Sequence, residues 1–260
     1  MKCFLVNPDY CNGCYNCQVV CKDEHCGNDW SPYAKMQPDT GQFWCKLEEK
    51  VRGTVPLTRI SYYPTFGAQD EALREYAPEV IQEREDGVIV IDPEKAAGRK
   101  DIAEKFEGVY WNEELQIPQG CTGCAHLLDN GWTVPRCVDA CMTDALKWVD
   151  ESELPAEVEK ISASSHVYYI NFPKRFVGAT VVDFAADEVV IGAKVTLKDD
   201  SGATVAEAET DDFGDFIFKQ VEAAVYEVVI EREGYETQSI AADASDDDVN
   251  LNYIDFKPVA

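Results

Sequence analysis

The last third of the chain alternates apolar and polar residues in short runs. Four such runs are 193–199 (AKVTLKD), 204–210 (TVAEAET), 215–221 (DFIFKQV) and 226–232 (YEVVIER). The turn-forming groups DDSG, DDFG and EGY separate them. A period of two puts every second side chain on one face of a strand, and short strands at this spacing are typical of sandwiches. The pattern therefore predicts a small antiparallel β-sandwich in this region.

Short apolar runs between long polar stretches characterise the rest of the chain. Strands are predicted at residues 4–6, 57–64 and 145–149. The stretch 87–98 (GVIVIDPEKAAG) is predicted as a strand followed by the start of a helix. Little of this region is predicted to be regular.

These patterns divide the 260 residues into three zones. Residues 1–150 hold all eleven cysteines and form the first predicted domain. Residues 151–175 are interpreted as a connector with one short helical and one extended piece. Residues 176–260 form the all-β sandwich, so the predicted fold class is α+β.

Two cysteine groups share their first and last spacings. Residues 11–21 read CNGCYNCQVVC, which is C-x2-C-x2-C-x3-C, and residues 121–141 follow C-x2-C-x12-C-x3-C. Asn130-Gly131 in the second group predicts a tight turn that makes its long excursion a hairpin. The chain therefore contains two related halves.

The C-x2-C-x2-C loop lets three thiolates surround one cube of iron and sulfide. In two-cluster ferredoxins the fourth cysteine ligates the other cluster. Applied here, this rule predicts that residues 1–150 form a ferredoxin-like 4Fe–4S domain with two clusters and crossed ligation. The first is held by Cys11, Cys14, Cys17 and Cys141, and the second by Cys121, Cys124, Cys137 and Cys21.

Structural zinc or disulfides are the alternatives. Zinc sites usually use two well-separated C-x2-C pairs, and disulfide scaffolds are usually short secreted chains. Cys3, Cys26 and Cys45 are interpreted as buried free thiols, with a third metal site or a redox thiol as the alternative. His25 and His126 are expected at most to hydrogen-bond near the clusters, and His166 is expected at the surface. No catalytic residues are predicted.

The net charge of −26, from 49 acidic and 23 basic residues, excludes nucleic acid as an expected partner. Residues 176–260 alone carry 20 acidic and 5 basic side chains. No apolar run approaches the roughly 18–20 residues needed to cross a bilayer, and MKCFLV is too short for a secretory signal. We therefore expect a cytoplasmic protein, with export alongside a signal-bearing partner left open.

Two resemblances to known families refine these expectations. GAKVTLKD, TDDFGDFIF and YEVVIEREGY resemble the transthyretin-like or immunoglobulin-like sandwich modules related to carboxypeptidase regulatory domains. CNGCYNCQVVCKDEHCGNDW, REDGVIVIDPEKAAGRK, VYWNEE and CTGCAHLLDNGW resemble the iron–sulfur subunits of molybdopterin oxidoreductases of the DMSO reductase type. The second resemblance spans almost the whole chain.

That resemblance implies a large catalytic partner subunit, which alone holds the molybdopterin cofactor. Family members carry further cysteine groups between the two found here, but no cysteine lies between Cys45 and Cys121. FGAQDEAL and DIAEKFEG stand where the family pattern has them. We therefore expect the middle cluster to be lost and two clusters to remain.

By this resemblance, the expected function is electron transfer to or from the molybdenum or tungsten site of the partner, and the partner is expected to act on hydroxylated aromatics. Whether the partner moves or removes a hydroxyl group stays open. The alternative is a free-standing ferredoxin-like carrier whose acidic module docks basic redox partners. A third possibility is that the clusters are structural relics in a scaffold protein. The sandwich serves either partner docking or stabilisation.

Overall fold

The computed structural model describes residues 1–25, 42–54 and 57–259. The chain forms two compact units. The first contains residues 1–49 and 61–172, and the second contains residues 50–60 and 173–260. In the described ranges, no helix is long and apolar enough to cross a membrane.

A three-stranded sheet anchors the first unit. Its central strand β1 (Lys2–Val6) pairs with β8 (Leu146–Asp150) in antiparallel fashion and with β9 (Val167–Tyr169) in parallel. Phe4 on β1 is 1% exposed and stacks on Phe66 with ring centroids 4.0 Å apart. The N-terminal strand therefore joins residues from both ends of the unit. This confirms the strands predicted at 4–6 and 145–149.

Short helices and strands make up most of the remaining first unit, in line with the predicted shortage of regular structure. The α-helices are α1 (Asn16–Glu24), α2 (Glu71–Tyr76), α3 (Lys100–Lys105), α4 (Ala125–Asp129) and α5 (Arg136–Asp139). The short strand pairs are β4 (Ile81–Gln82) with β5 (Val90–Ile91), and β6 (Tyr110–Asn112) with β7 (Ile117–Gln119). Single 3-10 turns cover Pro8–Tyr10, Pro78–Val80 and Glu151–Glu153.

Two sequence predictions in this unit are wrong in detail. No helix starts within residues 93–98, which form turns, and α3 begins only at Lys100. Asn130 and Gly131 do form a turn, and Gly131 has φ +90°. However, the turn follows helix α4 rather than joining two strands. Local residue preference located the turn at 130–131 but did not determine which elements flank it, and it gave no sign of the turns at 93–98.

Strands β2 (Cys45–Thr54) and β3 (Leu57–Phe66) form a long two-stranded arm. Residues 45–49 and 61–66 of the arm cluster with the first unit, and residues 50–60 cluster with the second. Within the second unit, Arg52 forms an ion pair with the buried carboxylate of Asp248 at 3.1 Å, and Asn250 donates to the Leu57 carbonyl at 3.2 Å. The distal half of the arm is thereby tied to the C-terminal strands.

The C-terminal strands build two four-stranded sheets around one core. One sheet contains β11 (Glu188–Val189), β10 (Arg175–Asp183), β14 (Asp215–Val221) and β17 (Val249–Asp255). The other runs β13 (Thr204–Glu209), β12 (Lys194–Lys198), β15 (Val225–Glu231) and β16 (Gln238–Asp243). Both contribute alternate side chains, such as Val195, Phe216 and Val228, to the core.

The four strands predicted from alternation are therefore confirmed as β12–β15. The expectation of a purely antiparallel arrangement is wrong at one edge, because β17 pairs with β10 in parallel. A parallel neighbour requires a crossover from the other sheet. The local period of two carries no information about that connection.

Candidate iron–sulfur site

The first cysteine loop is held in a tight curl by left-handed residues. Gly13 has φ +71° and Tyr15 has φ +60°. The Asn12 side chain accepts the Cys14 N–H at 3.2 Å. The loop lines one side of a small cavity, and a cysteine from the far end of the first unit lines it too. The cysteines around this cavity are Cys11, Cys14, Cys17 and Cys141.

Helix α1 explains why the fourth cysteine of this group lies near the second cysteine group. Cys17 lies in its first turn, and Cys21 lies four residues later on the same face. One turn of helix advances about 5.4 Å, so the two thiols are displaced along the axis. Asn16 donates to the Ala140 carbonyl at 2.7 Å, which holds α1 beside the end of α5. Cys21 therefore lies beside the second cysteine group.

The second loop repeats the geometry of the first. Gly123 and Cys124 have φ +58° and +52°, and the Gly123 N–H donates to the Cys121 sulfur at 3.4 Å. Cys137 lies in α5, and Cys141 follows the end of that helix. The backbone N–H of Cys121 donates to the Gly67 carbonyl at 2.7 Å, which fixes the start of the loop.

Thiols of the two cysteine groups lie close enough to shift each other's pKa. Burial raises the pKa of Cys11, and so does the proximity of Cys17, Cys141 and Cys14. Burial likewise raises the pKa of Cys124 to about 12, with a contribution from neighbouring Cys137. Bare thiolates repel each other at this spacing, and bound iron would relieve the repulsion. The donor chemistry therefore suits a thiolate-ligated cluster.

Buried Cys121 shows the crossing of the two sequence halves. Its pKa is raised well above the usual range by burial and by the nearby Cys21, Cys137 and Cys124. Cys21 comes from the first cysteine group, whereas the other three come from the second. Among the described residues, no group of three or more His, Cys, Asp or Glu side chains is arranged to hold a single metal ion.

Cys45 lies among these cysteines, which sequence spacing did not indicate. It is 1% exposed and begins strand β2. Hydrogen bonds to the Cys137 and Cys17 sulfurs, together with burial, raise the pKa of its thiol well above the usual range. Burial raises the pKa of the neighbouring Cys21 thiol, and the backbone of Cys45 opposes that rise. The prediction that Cys45 is buried is confirmed.

Cys3, which like Cys45 lies outside the two cysteine groups, is also buried but has different contacts. It is 2% exposed on β1, and its sulfur donates to the Val149 carbonyl at 3.6 Å. This confirms its predicted core position. Cys26 lies outside the described residues.

Two histidines stand near the second cysteine group, as the sequence indicated. The Nε2 atom of His25 lies 3.9 Å from the Cys124 sulfur, and its ring packs 4.3 Å from that of Trp44. Burial and the neighbouring His126 lower the pKa of His25 to about 4. His126 itself lies 3.0 Å from the Glu24 carboxylate. Both histidines thus have local partners.

Two buried polar residues were missed or misplaced by sequence reasoning. His166 was expected at the surface, but it is 7% exposed and its Nε2 lies 3.0 Å from Glu71. Gln69 is 2% exposed and donates to the carbonyls of Ile89 and Cys121 at 2.8 and 2.9 Å. Both residues stand in polar stretches, where no local signal marks burial.

Comparisons with known proteins find relatives for both parts of the chain. Residues 69–151 match the family model described as a 4Fe-4S dicluster domain, and residues 177–254 match the carboxypeptidase regulatory-like domain. The small subunit of pyrogallol hydroxytransferase from Pelobacter acidigallici is 35% identical over 96% of this chain and 97% of its own.

More distant relatives share the cysteine-rich part. One polypeptide of the anaerobic dimethyl sulfoxide reductase from Escherichia coli is 24% identical over 66% of this chain and 84% of its own. One polypeptide of the tetrathionate reductase from Salmonella typhimurium is 26% identical over 54% of this chain and 54% of its own. By its near full-length match to the first relative, the chain belongs to the iron–sulfur subunits of the molybdopterin oxidoreductases.

Proposed function

We propose that this protein is the electron-transfer subunit of a molybdopterin-dependent enzyme and that it carries two 4Fe–4S clusters. The observation that carries the proposal is the crossed arrangement of the two cysteine groups, with Cys21 beside Cys121 and Cys141 beside Cys11. Each cluster supplies one-electron transfer, and the chain's own residues hold, bury and orient it. The chain itself contributes no catalytic group.

The proposed ligands form two sets of four. Cys11, Cys14, Cys17 and Cys141 hold the first cluster, and Cys121, Cys124, Cys137 and Cys21 hold the second. Cys14 is exposed, whereas Cys21, Cys121, Cys124 and Cys137 are buried. The first cluster therefore has the more solvent-accessible ligand set. Because exposure is one determinant of cluster potential, the two couples should differ.

A hydrophobic core supports the proposed loss of the middle cluster. Leu73 and Ile102 fall in the two stretches where the family pattern has further cysteines, and both are fully buried. They pack with Val80, Ile89 and other aliphatic side chains between residues 68 and 109. Aliphatic burial stabilises this region at about 25 cal/mol per Å² and offsets the missing metal.

The proposed partner is a large molybdopterin-containing subunit that acts on hydroxylated aromatics in the cytoplasm. The relative with 35% identity is a pyrogallol hydroxytransferase subunit, which supports this substrate class. A transhydroxylation has no net redox change, so the clusters would set the metal's oxidation state. A reductive dehydroxylation would draw electrons through them. We assign residues 1–150 to the ferredoxin-like domain, 151–175 to the connector and 176–260 to a transthyretin-like sandwich. The compact units differ from this assignment in grouping residues 151–172 with the first unit and residues 50–60 with the second.

Iron and sulfide analysis with EPR on the anaerobically purified protein tests the cluster content. About eight iron per chain is expected from two cubes, and about twelve would reject the loss of the middle cluster. A colourless protein that contains zinc would reject the proposal altogether. Co-purification of a large molybdenum-containing subunit is expected; a brown monomer would instead favour a free-standing carrier.

Substitution of one proposed ligand tests the assignment. Cys14→Ser should remove or convert the first cluster while the C-terminal strands stay folded, because their core contains no cysteine. Cys3→Ser is the matched control, since Cys3 bonds only to a carbonyl among the contacts described for its sulfur. Equal iron loss in both variants would contradict the assignment.

A further inference from the structure

Two turns of the C-terminal unit present large apolar side chains to solvent. Phe184 begins the turn that joins β10 to β11 and is 56% exposed, and Val189 and Ile191 after that turn are exposed as well. Phe213, in the turn between β13 and β14, is 74% exposed. We call these four residues the apolar end patch. Single exposed apolar side chains are ordinary, whereas a contiguous patch marks an interaction site.

Backbone contacts show that the two turns adjoin. The Val181 N–H donates to the Gly214 carbonyl at 2.8 Å, which sets the residue after Phe213 against β10. A Cβ added at Gly214 would lie 2.9 Å from the Cβ of Val189. Ile191 follows two residues after Val189 and is exposed like it. The apolar end patch is therefore one surface built from two segments of the sandwich.

Both turns are held in place by carboxylates. Asp211 accepts the backbone N–H groups of Phe213 and Asp215, each at 2.9 Å. Asp183 accepts those of residues 185 and 186 at 3.0 and 3.1 Å. A surface that is already ordered loses little conformational entropy when a partner binds to it.

The charge around the apolar end patch is wholly negative. Residues 176–193 and 199–218 contain no Lys or Arg, and Asp187, Glu188 and Asp212 are exposed next to the patch. A twofold interface uses the same surface on both partners, so two copies of this chain would bring equal acidic rims together. An anionic membrane would be repelled in the same way. The charge therefore favours a protein whose apolar recess is flanked by Lys or Arg.

We propose that the apolar end patch docks the large molybdopterin-containing subunit, with Phe184 and Phe213 inserted into an apolar recess that has a basic rim. Buried aromatic anchors carry a large share of the binding energy at protein interfaces. The sandwich, whose core contains no cysteine, thereby adds binding surface rather than a cofactor. This inference rests on the proposed function, which supplies the partner.

The test measures the dissociation constant of the anaerobically purified complex, with each variant replacing the wild-type chain in its native host. The large subunit is recognised by its molybdopterin content. Phe184→Ala combined with Phe213→Ala should weaken the complex at least about 30-fold and keep about eight iron per chain. Val205→Ala combined with Val225→Ala is the matched control, because both valines are 50% exposed on the other sheet. The control should leave the dissociation constant unchanged.

A second variant tests the acidic rim without touching the apolar side chains. Glu188→Gln combined with Asp212→Asn should weaken the complex about threefold, as expected for charges at the edge of an interface. It should also make the dissociation constant less sensitive to salt, because fewer charges remain to be screened.

The outcomes separate this inference from the proposed function. A wild-type dissociation constant in the phenylalanine variant, or an equal loss in the valine control, would overturn the inference and leave the proposed function intact. A dimer of this chain that the phenylalanine variant abolishes would assign the patch to a second copy instead. A wild-type chain that co-purifies with no molybdopterin-containing subunit would remove the proposed function and this inference with it.

Discussion

Replacing Gly67 by alanine should disturb the second cluster from outside its ligand set. A Cβ added at Gly67 would lie 1.8 Å from the Gly108 carbonyl oxygen and 2.2 Å from its carbon. Carbon contacts settle near 3.5 Å, so two backbone segments must separate by about 1.5 Å. Rotation of a side chain cannot relieve this clash, because both colliding groups belong to the main chain.

The cost of this separation follows from the hydrogen bonds at Gly67. Its carbonyl accepts the Cys121 N–H at 2.7 Å, and its N–H donates to the Trp44 carbonyl at 3.2 Å. Overpacking costs about 1–3 kcal/mol, and loss of one backbone hydrogen bond adds about 1 kcal/mol. We therefore expect Gly67→Ala to destabilise the first unit by about 3 kcal/mol and to displace Cys121.

The assay is iron content together with the temperature at which the visible cluster absorbance is lost. At about 2–4 °C per kcal/mol for a unit of this size, the midpoint should fall by about 6–12 °C. Gly98→Ala is the control, since an added Cβ at Gly98 has nothing within 4 Å of it. Gly98 has φ +79°, so its substitution carries only the left-handed penalty of about 1 kcal/mol. Wild-type iron content and midpoint in Gly67→Ala would refute the reasoning.

Three further predictions test other parts of the molecule. Asp248→Ala should lower the free energy of unfolding of the C-terminal unit by about 3 kcal/mol in thermal unfolding, because the buried guanidinium of Arg52 loses its carboxylate partner. Glu207→Ala, which removes an exposed ion pair, should leave the unfolding midpoint unchanged. Equal effects would contradict a buried clamp. Gln69→Leu should lower the free energy of unfolding of the first unit by about 2 kcal/mol, because two buried carbonyls lose their hydrogen-bond donor. It should also lower the iron occupancy of the second cluster, and a wild-type iron content would contradict this. Oxidative removal of iron with a chelator should abolish hydrogen-exchange protection in β1 and β8 but preserve it in β12 and β15. The core around Phe4 contains cysteines, whereas the core of the C-terminal sheets contains none. Parallel loss in both would contradict separate cores.

The amino-acid sequence alone determined which thiols belong to one loop and which stretches alternate as strands. The Cα atoms of cysteines separated by two residues can lie at most about 11 Å apart, because covalent geometry limits the reach of three residues. Alternation along 193–232 likewise depends only on which side of a strand each successive Cβ occupies. Both signals are local, so they are readable without knowledge of the fold.

Only the tertiary structure decided which distant residues meet. It brought Cys45 between the two ligand sets, buried His166 and Gln69, and grouped residues 50–60 of the arm with the C-terminal strands. No local pattern marks His166 or Gln69 for burial, and none indicates which cysteines Cys45 meets. Their environments arise from packing between segments far apart in sequence, where loop closure leaves many partners open until burial and hydrogen bonding select one.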